Sequence, residues 1–288
     1  MVASGLRIPH GIALYQGSLY IAEESLVSRM IDENGDGFYE SSEPIVAGLP
    51  DDGGHSTRTI RFGPDGALYV SIGSSCNICQ EADPRRATIM RYEADGGNGR
   101  IFASGLRNAV GIFFDPTSGL FWATNNGSDG MGDDVPPETL NLVVDGGDYG
   151  WPRCHSGDIP DPNFGGEGAC DGVTQPVVRM QAHSAPLGLT RMVGSALGPA
   201  WDGAMYIAFH GSWNRSIPTG YKVVALPMAG DTPTGEVLDF ATDWLLPDGT
   251  WWGRPVDVIQ APDGSMLISD DAGGRIFRVF PLQGADED

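Results

Sequence analysis

The 288-residue sequence predicts an all-β chain built from repeated four-stranded units, which is the architecture of a β-propeller. Three observations predict it. Short apolar runs with strand-like alternation recur along the chain, turn residues join them in pairs, and almost no window keeps a 3.6-residue period. A β-sandwich would explain the strands but not their repetition.

Five copies of the paired-strand pattern follow one another. The second and fifth copies contain Pro-Asp-Gly, at residues 64–66 and 262–264. Proline fixes φ, aspartate bonds its own backbone and glycine accepts a positive φ, so each tripeptide predicts a hairpin turn. We therefore expect a single propeller domain over residues 1–288, with five visible blades and a long loop insertion at about residues 127–183. The copies begin at His10, Thr59, Val110, Leu187 and Val256.

The charge of the chain excludes several classes of partner. With 17 basic and 38 acidic side chains, the formal net charge is −21. A surface of this sign repels the phosphates of nucleic acids and of anionic membranes, so we expect no nucleic-acid partner. No apolar run is long enough for a membrane span, and the sequence contains no signal-peptide pattern. An anionic ligand would need a local cluster of arginines.

The four cysteines form two near pairs, Cys76 with Cys79 and Cys154 with Cys170. Their spacing is not that of a zinc site with four ligands, and we favour two local disulfides. Free thiols and a metal site remain alternatives. Disulfides would place the protein in the periplasm or outside the cell, because such bonds persist in oxidising compartments.

Several segments, in this order along the chain, carry a resemblance: they are Gly54–Arg58, Phe62–Gly66, Ile72–Asn77, Gly105–Gly111, Asn126–Ser128, Leu140–Leu142, Gly146–Pro152, His210–Arg215 and Gly253–Asp257. With these segments the chain resembles the glucose/sorbosone dehydrogenase family, quinoproteins that use pyrroloquinoline quinone (PQQ), and within it the sorbosone dehydrogenase-like branch. Members have six blades, so the resemblance implies that the family's N-terminal blade is missing here.

The resemblance implies an activity, namely the oxidation of an aldose or sugar aldehyde that depends on PQQ and calcium. A small sugar would be the substrate, and an external electron acceptor would reoxidise the cofactor. In the family a calcium ion joins cofactor oxygens to two backbone carbonyls, which match Gly127 and Ser128. Such an ion would act as a Lewis acid on the quinone carbonyl that accepts hydride.

His55 matches the family's catalytic base, which removes the proton of the sugar hydroxyl. Imidazole suits this role because its unperturbed pKa leaves much of it neutral near pH 7. The alternative is a structural histidine in a glycine-rich loop. Better-known members place an aspartate where this chain has Ser74. Serine cannot stabilise imidazolium as a carboxylate would, so we expect weaker or differently tuned catalysis.

Arginines are the expected partners of PQQ, a tricarboxylate, because a guanidinium pairs with a carboxylate through two parallel hydrogen bonds. Arg107, with Asn108 beside it, and Arg254 match cofactor contacts of the family. Arg215 is added because its loop contains glycine and tryptophan. Surface ion pairing is the alternative for each. The family's second arginine, two residues after the first, is Val256 here.

A second calcium site is predicted by residue spacing alone. The segment matches the twelve-residue calcium-loop pattern in full, but its flanks are strand-like, so we expect a structural ion in a blade loop. A plain acidic turn is the alternative. The predicted ligands are Asp32, Asn34, Asp36, Phe38 and Glu43.

Two further functions stay open at this point. A non-catalytic, calcium-binding propeller would explain the substitutions at Ser74 and Val256. A propeller lactonase would need a shell of carboxylates and amides around a central ion, and the sequence shows no such shell. Tryptophans that would suit sugar stacking are equally explained by blade packing; they are Trp151, Trp213, Trp251 and Trp252.

Overall fold

A computed structural model describes residues 2–281, so the ends of the predicted domain lie outside the described residues. The chain divides into two compact units. Unit 1 comprises the residues up to Ser128 together with Asn141–Pro176, and unit 2 comprises Asp129–Leu140 together with the residues from Val177 onward. The all-β prediction is confirmed, since residues 2–281 contain strands and no helix. No helix that could span a membrane is found within this range.

The first blade, in unit 1, is a four-stranded meander in the order β1-β2-β3-β4. The tight turn between β1 and β2 uses Gln16 and Gly17, both with positive φ (48° and 80°), which matches the twist of a two-residue hairpin. The two strands pair from Gly11 opposite Ala22 to Tyr15 opposite Ser18. The strands are β1 (Gly11–Tyr15), β2 (Ser18–Ala22), β3 (Leu26–Ile31) and β4 (Ser41–Ala47).

The second blade, also in unit 1, confirms the predicted Pro-Asp-Gly turn. Asp65 Oδ1 accepts the N–H of Ala67 at 3.2 Å, and Gly66 has φ of 75°. All five residues of β6 are buried, as in a strand that is covered on both faces. A short strand, β12 (Gly147–Asp148), pairs parallel to β8. The main strands are β5 (Ile60–Phe62), β6 (Leu68–Ile72), β7 (Thr88–Tyr92) and β8 (Arg100–Ser104).

The third blade begins in unit 1 with β9 (Ile112–Phe114) and β10 (Phe121–Asn125), which pair antiparallel. Its strand β11 (Glu138–Leu142) runs across the division between the units, and in unit 2 it pairs antiparallel with β15 (Val178–Met180). The segment predicted as a loop insertion, residues 127–183, thus contains two blade strands. It also contains the hairpin of β13 (Cys154–His155) and β14 (Ile159–Pro160).

Both predicted disulfides are confirmed, and both lie in unit 1. Cys76 is bonded to Cys79 in the connection between β6 and β7, with Cα atoms 6.3 Å apart. Cys154 is bonded to Cys170, with Cα atoms 5.3 Å apart, and closes the irregular segment around β13 and β14.

The fourth and fifth blades belong to unit 2, and their strands bury a shared apolar core. The second Pro-Asp-Gly turn is confirmed there, since Asp263 Oδ1 accepts the N–H of Ser265 at 3.1 Å. A small hairpin of β19 (Met228–Ala229) and β20 (Thr232–Pro233) extends the fourth blade's outer connection. The blade strands are β16 (Pro186–Arg191), β17 (Met205–Phe209), β18 (Lys222–Leu226) and β21 (Leu238–Ala241), then β22 (Pro255–Gln260), β23 (Met266–Asp270) and β24 (Arg275–Val279).

Candidate active site

His55 lies on the connection between β4 and β5 and is half-buried. Its Nδ1 atom is 2.8 Å from the backbone oxygen of Ser74 and 3.0 Å from Ser74 Oγ. Because a carbonyl oxygen can only accept, Nδ1 carries the hydrogen and Nε2 keeps its lone pair. The Ser74 hydroxyl donates to the carbonyl of Cys76 at 2.6 Å. Nε2 has no hydrogen-bond partner among residues 2–281, so the geometry leaves it able to accept a proton.

The surroundings of His55 keep its imidazole neutral. Burial lowers the pKa of His55 to about 4, and the positive charges of Arg107, Arg86 and Arg58 act in the same direction. The hydrogen bond to the Ser74 backbone opposes this shift only in part. A carbonyl therefore takes the orienting position that an aspartate holds in better-known members, and it fixes the ring without adding negative charge.

Gly73 allows His55 and Asn108 to lie close together. A Cβ atom at Gly73 would come within 2.5 Å of Asn108 Oδ1 and 2.6 Å of His55 Cβ. The N–H of Asn108 in turn bonds to Asn125 Oδ1 at 3.0 Å. The close approach of two functional side chains thus requires a residue with no side chain between them.

Arg107 is buried and points its guanidinium at backbone and amide oxygens of unit 1. Nε donates to the carbonyl of Asn77 at 2.9 Å, and Nη2 donates to the Oδ1 of the same residue at 2.9 Å. Nη1 donates to the carbonyl of Gly127 at 2.7 Å. The backbone oxygen of Arg107 accepts the N–H of Ser74 at 2.8 Å, which ties the arginine to the residue that orients His55.

The bond from Arg107 bears on the predicted calcium site. The carbonyl of Gly127 is one of its two predicted ligands, and Ser128, the other, donates its hydroxyl to Asn77 at 3.4 Å. A divalent cation on the Gly127 oxygen would stand close to a guanidinium of the same sign. The arrangement does not fit calcium there while Arg107 holds this oxygen.

Arg254, in unit 2, is a half-buried cation with a free donor. Nε donates to the carbonyl of His210 at 3.0 Å and Nη2 to that of Gly211 at 2.8 Å. The guanidinium carbon lies 5.4 Å from the ring centres of both Tyr221 and Trp251. Within residues 2–281, Arg254 has no carboxylate partner and its Nη1 has no acceptor. Such a preorganised, unpaired guanidinium fits a ligand that carries carboxylates, as PQQ does.

Arg215, predicted from its loop alone, lies in a different environment of unit 2. Its Nη1 bonds to the backbone oxygens of Asp133 and, at 3.3 Å, of Ala182, and it forms an ion pair with Asp134 at 3.1 Å. Its neighbour Asn214 donates to Asp129 at 2.6 Å. The alternative of ion pairing thus describes Arg215 as the structure places it, because its charge is already used to hold the segment that begins at Asp129.

The tryptophans considered for sugar stacking differ in exposure. Trp151 is buried in unit 1, whereas Trp251 and Trp252 in unit 2 are half-exposed, and Trp251 stacks near Arg254. Trp213 is 77% exposed.

The predicted calcium loop connects β3 to β4 and is organised around Asp32. Both carboxylate oxygens of Asp32 accept backbone N–H groups, from Gly35 at 2.6 Å and from Gly37 at 2.9 Å. These bonds, of which that from Gly37 is the strongest influence, lower the pKa of Asp32. Carboxylate oxygens of Asp32, Asp36 and Glu40 lie within 4.8 Å of one another.

The acidic residue that faces this loop is not the one predicted. Glu43 lies on β4 opposite Arg29 and forms an ion pair with it at 2.6 Å. Glu40 instead accepts the amide of Asn34 at 2.6 Å and the N–H of Glu33 at 2.9 Å. The twelfth position of the pattern reaches an ion through a following helix, and here a strand follows, which turns Glu43 along the sheet.

Several residues that shape the site carry no prediction from the sequence. Asn77 holds Arg107, while Arg86 lies buried and bonds to the carbonyls of His55 and Gly73, both at 3.3 Å. A cleft of about 650 Å³ opens beside the connection between β6 and β7, lined by residues 48–52, Ser75 and residues 81–86. The only signal for Asn77 was its place in the Ile72–Asn77 segment of the family resemblance.

Comparison with known proteins decides the family. Residues 22–210 match the sequence model of Glucose / Sorbosone dehydrogenase, about two thirds of the chain. The chain belongs to the Glucose / Sorbosone dehydrogenase family. Residues 160–280 also match a model described as TrAA12-like. The predicted resemblance is thereby confirmed.

Relatives of this dehydrogenase family member include an uncharacterised protein of Borreliella burgdorferi, 31% identical over 97% of this chain and 77% of the relative. A PQQ-dependent pyranose dehydrogenase of Coprinopsis cinerea is 26% identical over 80% of this chain, but the match spans only 40% of that longer protein.

Among solved structures, the calcium structure of a Trichoderma reesei family AA12 enzyme superposes with a TM-score of 0.79. It is 22% identical to this chain and covers 93% of it, and the match covers 80% of that enzyme. The likeness confirms the predicted β-propeller fold.

Proposed function

We propose that the protein is a PQQ-dependent sugar dehydrogenase, which oxidises an aldose or a sugar aldehyde. The observation that carries the proposal is the environment of His55, whose Nδ1–H is held by Ser74 while Nε2 has no partner among residues 2–281. A neutral imidazole with one nitrogen free is the arrangement a general base needs. Family membership and the PQQ-dependent relative from Coprinopsis support the same chemistry.

In the proposed reaction, His55 Nε2 takes the proton of the sugar hydroxyl. When bound, PQQ supplies a quinone carbonyl that accepts the hydride, with both electrons, from the carbon bearing that hydroxyl. Within unit 2, the free Nη1 of Arg254 is a separate candidate partner for a carboxylate of PQQ. Because the pKa of His55 is about 4, proton transfer alone would be uphill, so we expect the proton to leave as the hydride leaves.

The Ser74 carbonyl supports the charged imidazolium that His55 becomes. Its hydrogen bond to Nδ1 holds the imidazole ring in one orientation, with the free Nε2 on the opposite side of the ring.

The remaining parts of the proposal concern calcium ions, the electron acceptor and the cellular location. Calcium at Gly127 and Ser128 stays a prediction that requires Arg107 to release the Gly127 carbonyl. For the loop at Asp32 we propose a structural calcium ion, with Glu40 in place of Glu43. An external electron acceptor and a periplasmic or extracellular location complete the proposal, and the two disulfides support that location.

Calorimetric titration of the purified protein with PQQ, with and without calcium, tests the proposal. We expect saturable binding, and reduction of an artificial dye when aldoses are added. A protein that binds no PQQ under either condition would refute the dehydrogenase assignment and leave a non-catalytic propeller.

Arg254→Gln tests which residue holds the cofactor. We expect the dissociation constant of PQQ to rise about 10- to 100-fold, since a hydrogen bond to a charged group contributes about 1.5–3 kcal/mol. Arg275→Gln is a matched control, because Arg275 stacks on Trp252 in the same unit at 5.6 Å. Arg215→Gln should behave like the control if its ion pair with Asp134 describes its role, and a loss equal to that of Arg254→Gln would restore the original prediction.

A further inference from the structure

The connection between β6 and β7 contains a short loop that one disulfide closes. Cys76 and Cys79 are bonded to each other, and Asn77 lies between them. Ser74, two residues before Cys76, is fully buried. Within six residues the chain thus places a covalent link, the residue that orients His55 and the residue that holds Arg107.

Hydrogen bonds connect residues 74–77 to two candidate functional side chains, His55 and Arg107. On one side, the Ser74 hydroxyl donates to the Cys76 carbonyl at 2.6 Å, and the oxygens of Ser74 receive the Nδ1–H of His55. On the other side, Asn77 offers its carbonyl and its side-chain oxygen to Arg107, both at 2.9 Å. The oxygens that fix the base and the arginine therefore belong to one short backbone segment.

Residues outside the disulfide-closed loop also hold it in place. Glu81 accepts the N–H of Ser75 at 2.8 Å and its hydroxyl at 2.7 Å. The carbonyl of Ser75 accepts the N–H of Gly54, next to His55, at 2.8 Å. Asn77 itself is exposed, so no packed core holds it in place. The covalent link beside Asn77 restricts the backbone there, together with the hydrogen bonds that Asn77 accepts from Arg107 and Ser128.

We propose that the Cys76–Cys79 disulfide is a positioning element of the active site, which sets the direction of His55 through Ser74 and the place of Arg107 through Asn77. Opening it frees the backbone between Ser74 and Cys79, and the carbonyls that hold the two side chains lose their fixed orientation. The effect on turnover rests on the proposed function. The effect on the His55 ring rests on the geometry alone.

The second disulfide provides a matched control. Cys154–Cys170 lies in the same unit and closes a separate loop, where the Cys154 N–H bonds to the carbonyl of Gly150 at 3.0 Å. Removing either disulfide is expected to lower the melting temperature, because each restricts the unfolded chain. Only the removal of Cys76–Cys79 is expected to change His55.

The test compares Cys76→Ser/Cys79→Ser with Cys154→Ser/Cys170→Ser by NMR of the imidazole nitrogens in the cofactor-free proteins. His55→Gln identifies the His55 signals. In the wild type and the control variant we expect a single Nδ1–H tautomer that stays neutral down to about pH 5. In the Cys76→Ser/Cys79→Ser variant we expect a mixture of tautomers and a midpoint of titration at least one pH unit higher, because the ring becomes hydrated. The charges that face this ring, Arg58, Arg86 and Arg107, are present in both variants.

PQQ titration gives the second readout. We expect the dissociation constant to rise at least tenfold in the Cys76→Ser/Cys79→Ser variant and less than threefold in the control. If His55 keeps its tautomer and its titration midpoint without Cys76–Cys79, the positioning role is refuted, whatever happens to PQQ. If the wild type binds no PQQ, the proposed function fails while the NMR comparison still decides this inference.

A variant that does not fold is replaced by chemistry on the folded wild type. Mild reductant, with mass spectrometry to show which disulfide has opened, gives the same comparison, and reoxidation should restore the original His55 signals. An unchanged His55 spectrum in protein shown to contain reduced Cys76 and Cys79 would also overturn the proposal.

Discussion

Two loops of unit 1 differ in which backbone groups hold their side chains: carbonyl oxygens in one loop and N–H groups in the other. At residues 73–77, backbone carbonyls accept hydrogen bonds from positively charged or protonatable side chains, as Ser74 does from His55 and Asn77 does from Arg107. At residues 32–40, a carboxylate accepts hydrogen bonds from backbone N–H groups, as Asp32 does from Gly35 and Gly37.

The difference shows that a loop binds cationic or anionic side chains according to whether its backbone carbonyls or its N–H groups point inward. Inward carbonyls concentrate negative partial charge without a formal charge, so they hold cationic side chains and leave His55 neutral. Inward N–H groups stabilise carboxylates, and the loop at residues 32–40 gathers three acidic groups at the surface. The first loop suits proton transfer and the second suits a cation, and the predictions below test that division.

The largest expected effect is on catalysis at the carbonyl-lined loop. His55→Gln should lower kcat about 100- to 10,000-fold, because it removes the proposed general base. Affinity for PQQ, measured by calorimetry, should change less than threefold. His10→Gln is a control, since His10 is another histidine of this unit whose pKa is lowered by burial. An active His55→Gln enzyme would remove the functional contrast between the loops.

Calcium should act on the other loop. At a concentration 100 times its dissociation constant, calcium adds about 2.7 kcal/mol of stability, which corresponds to a rise of about 5 °C in the melting temperature for a chain of this size. Asp32→Asn should abolish most of this rise, whereas Glu43→Gln should leave it intact because Glu43 pairs with Arg29. Equal losses in the two variants would return the twelfth-position glutamate to the ligand set.

The pH dependence of stability should also distinguish the two loops, because His55 and Asp32 titrate in different pH ranges. The pKa of His55 is about 4 in the folded protein and near 6.5 when unfolded, so the unfolded chain binds more protons between these values. Stability should fall as the pH drops from 6.5 to about 4, by up to about 3 kcal/mol for this residue.

The pKa of Asp32 is shifted in the same direction as that of His55, but it acts in a different pH window. Its pKa is lowered by folding, so its contribution is present above its usual value near 3.8 and is lost only below it. Denaturant unfolding between pH 6.5 and 4.5 should therefore show a flatter slope for His55→Gln, while Asp32→Asn keeps the wild-type slope. His10 and His210 share the direction of His55, so part of the slope should remain. A wild-type slope in His55→Gln would contradict the buried neutral imidazole.

The smallest effect is expected from the hydroxyl of Ser74. Ser74→Ala keeps the backbone carbonyl that accepts the Nδ1–H of His55, so kcat should fall less than about threefold. Steady-state kinetics with an aldose and dye measures it. A fall of more than 30-fold would show that the hydroxyl, and not the carbonyl, orients the base.

The sequence allowed the repeated hairpins to be predicted because their chemistry is local. Asp65 and Gly66 occupy the turn positions that Pro-Asp-Gly indicates, and Asp263 does the same in the fifth blade. The strands β11 and β15 were predicted as part of an insertion, because 35 residues with only three two-residue strands separate them and β15 is only three residues long.

For the candidate site, the sequence named residues but not the groups they bond to. His55, Asn108 and Arg107 all lie in unit 1, and their roles stay predictions. The sequence could not show that Arg107 holds the Gly127 carbonyl or that Arg215 is bound to Asp133 and Asp134. Which acceptor a guanidinium selects depends on atoms distant in the sequence. Spacing therefore identifies candidate residues and leaves their partners undetermined.

The indole of Trp251 next to Arg254 gives this protein a built-in optical reporter. A quinone drawn to that guanidinium would come close enough to the ring to quench its emission, whereas Trp213, 77% exposed, would respond mainly to solutes in the solvent. Binding of PQQ, if the proposed function holds, could thus be followed without a label, and the Trp251→Phe protein would give the background emission of the other six tryptophans.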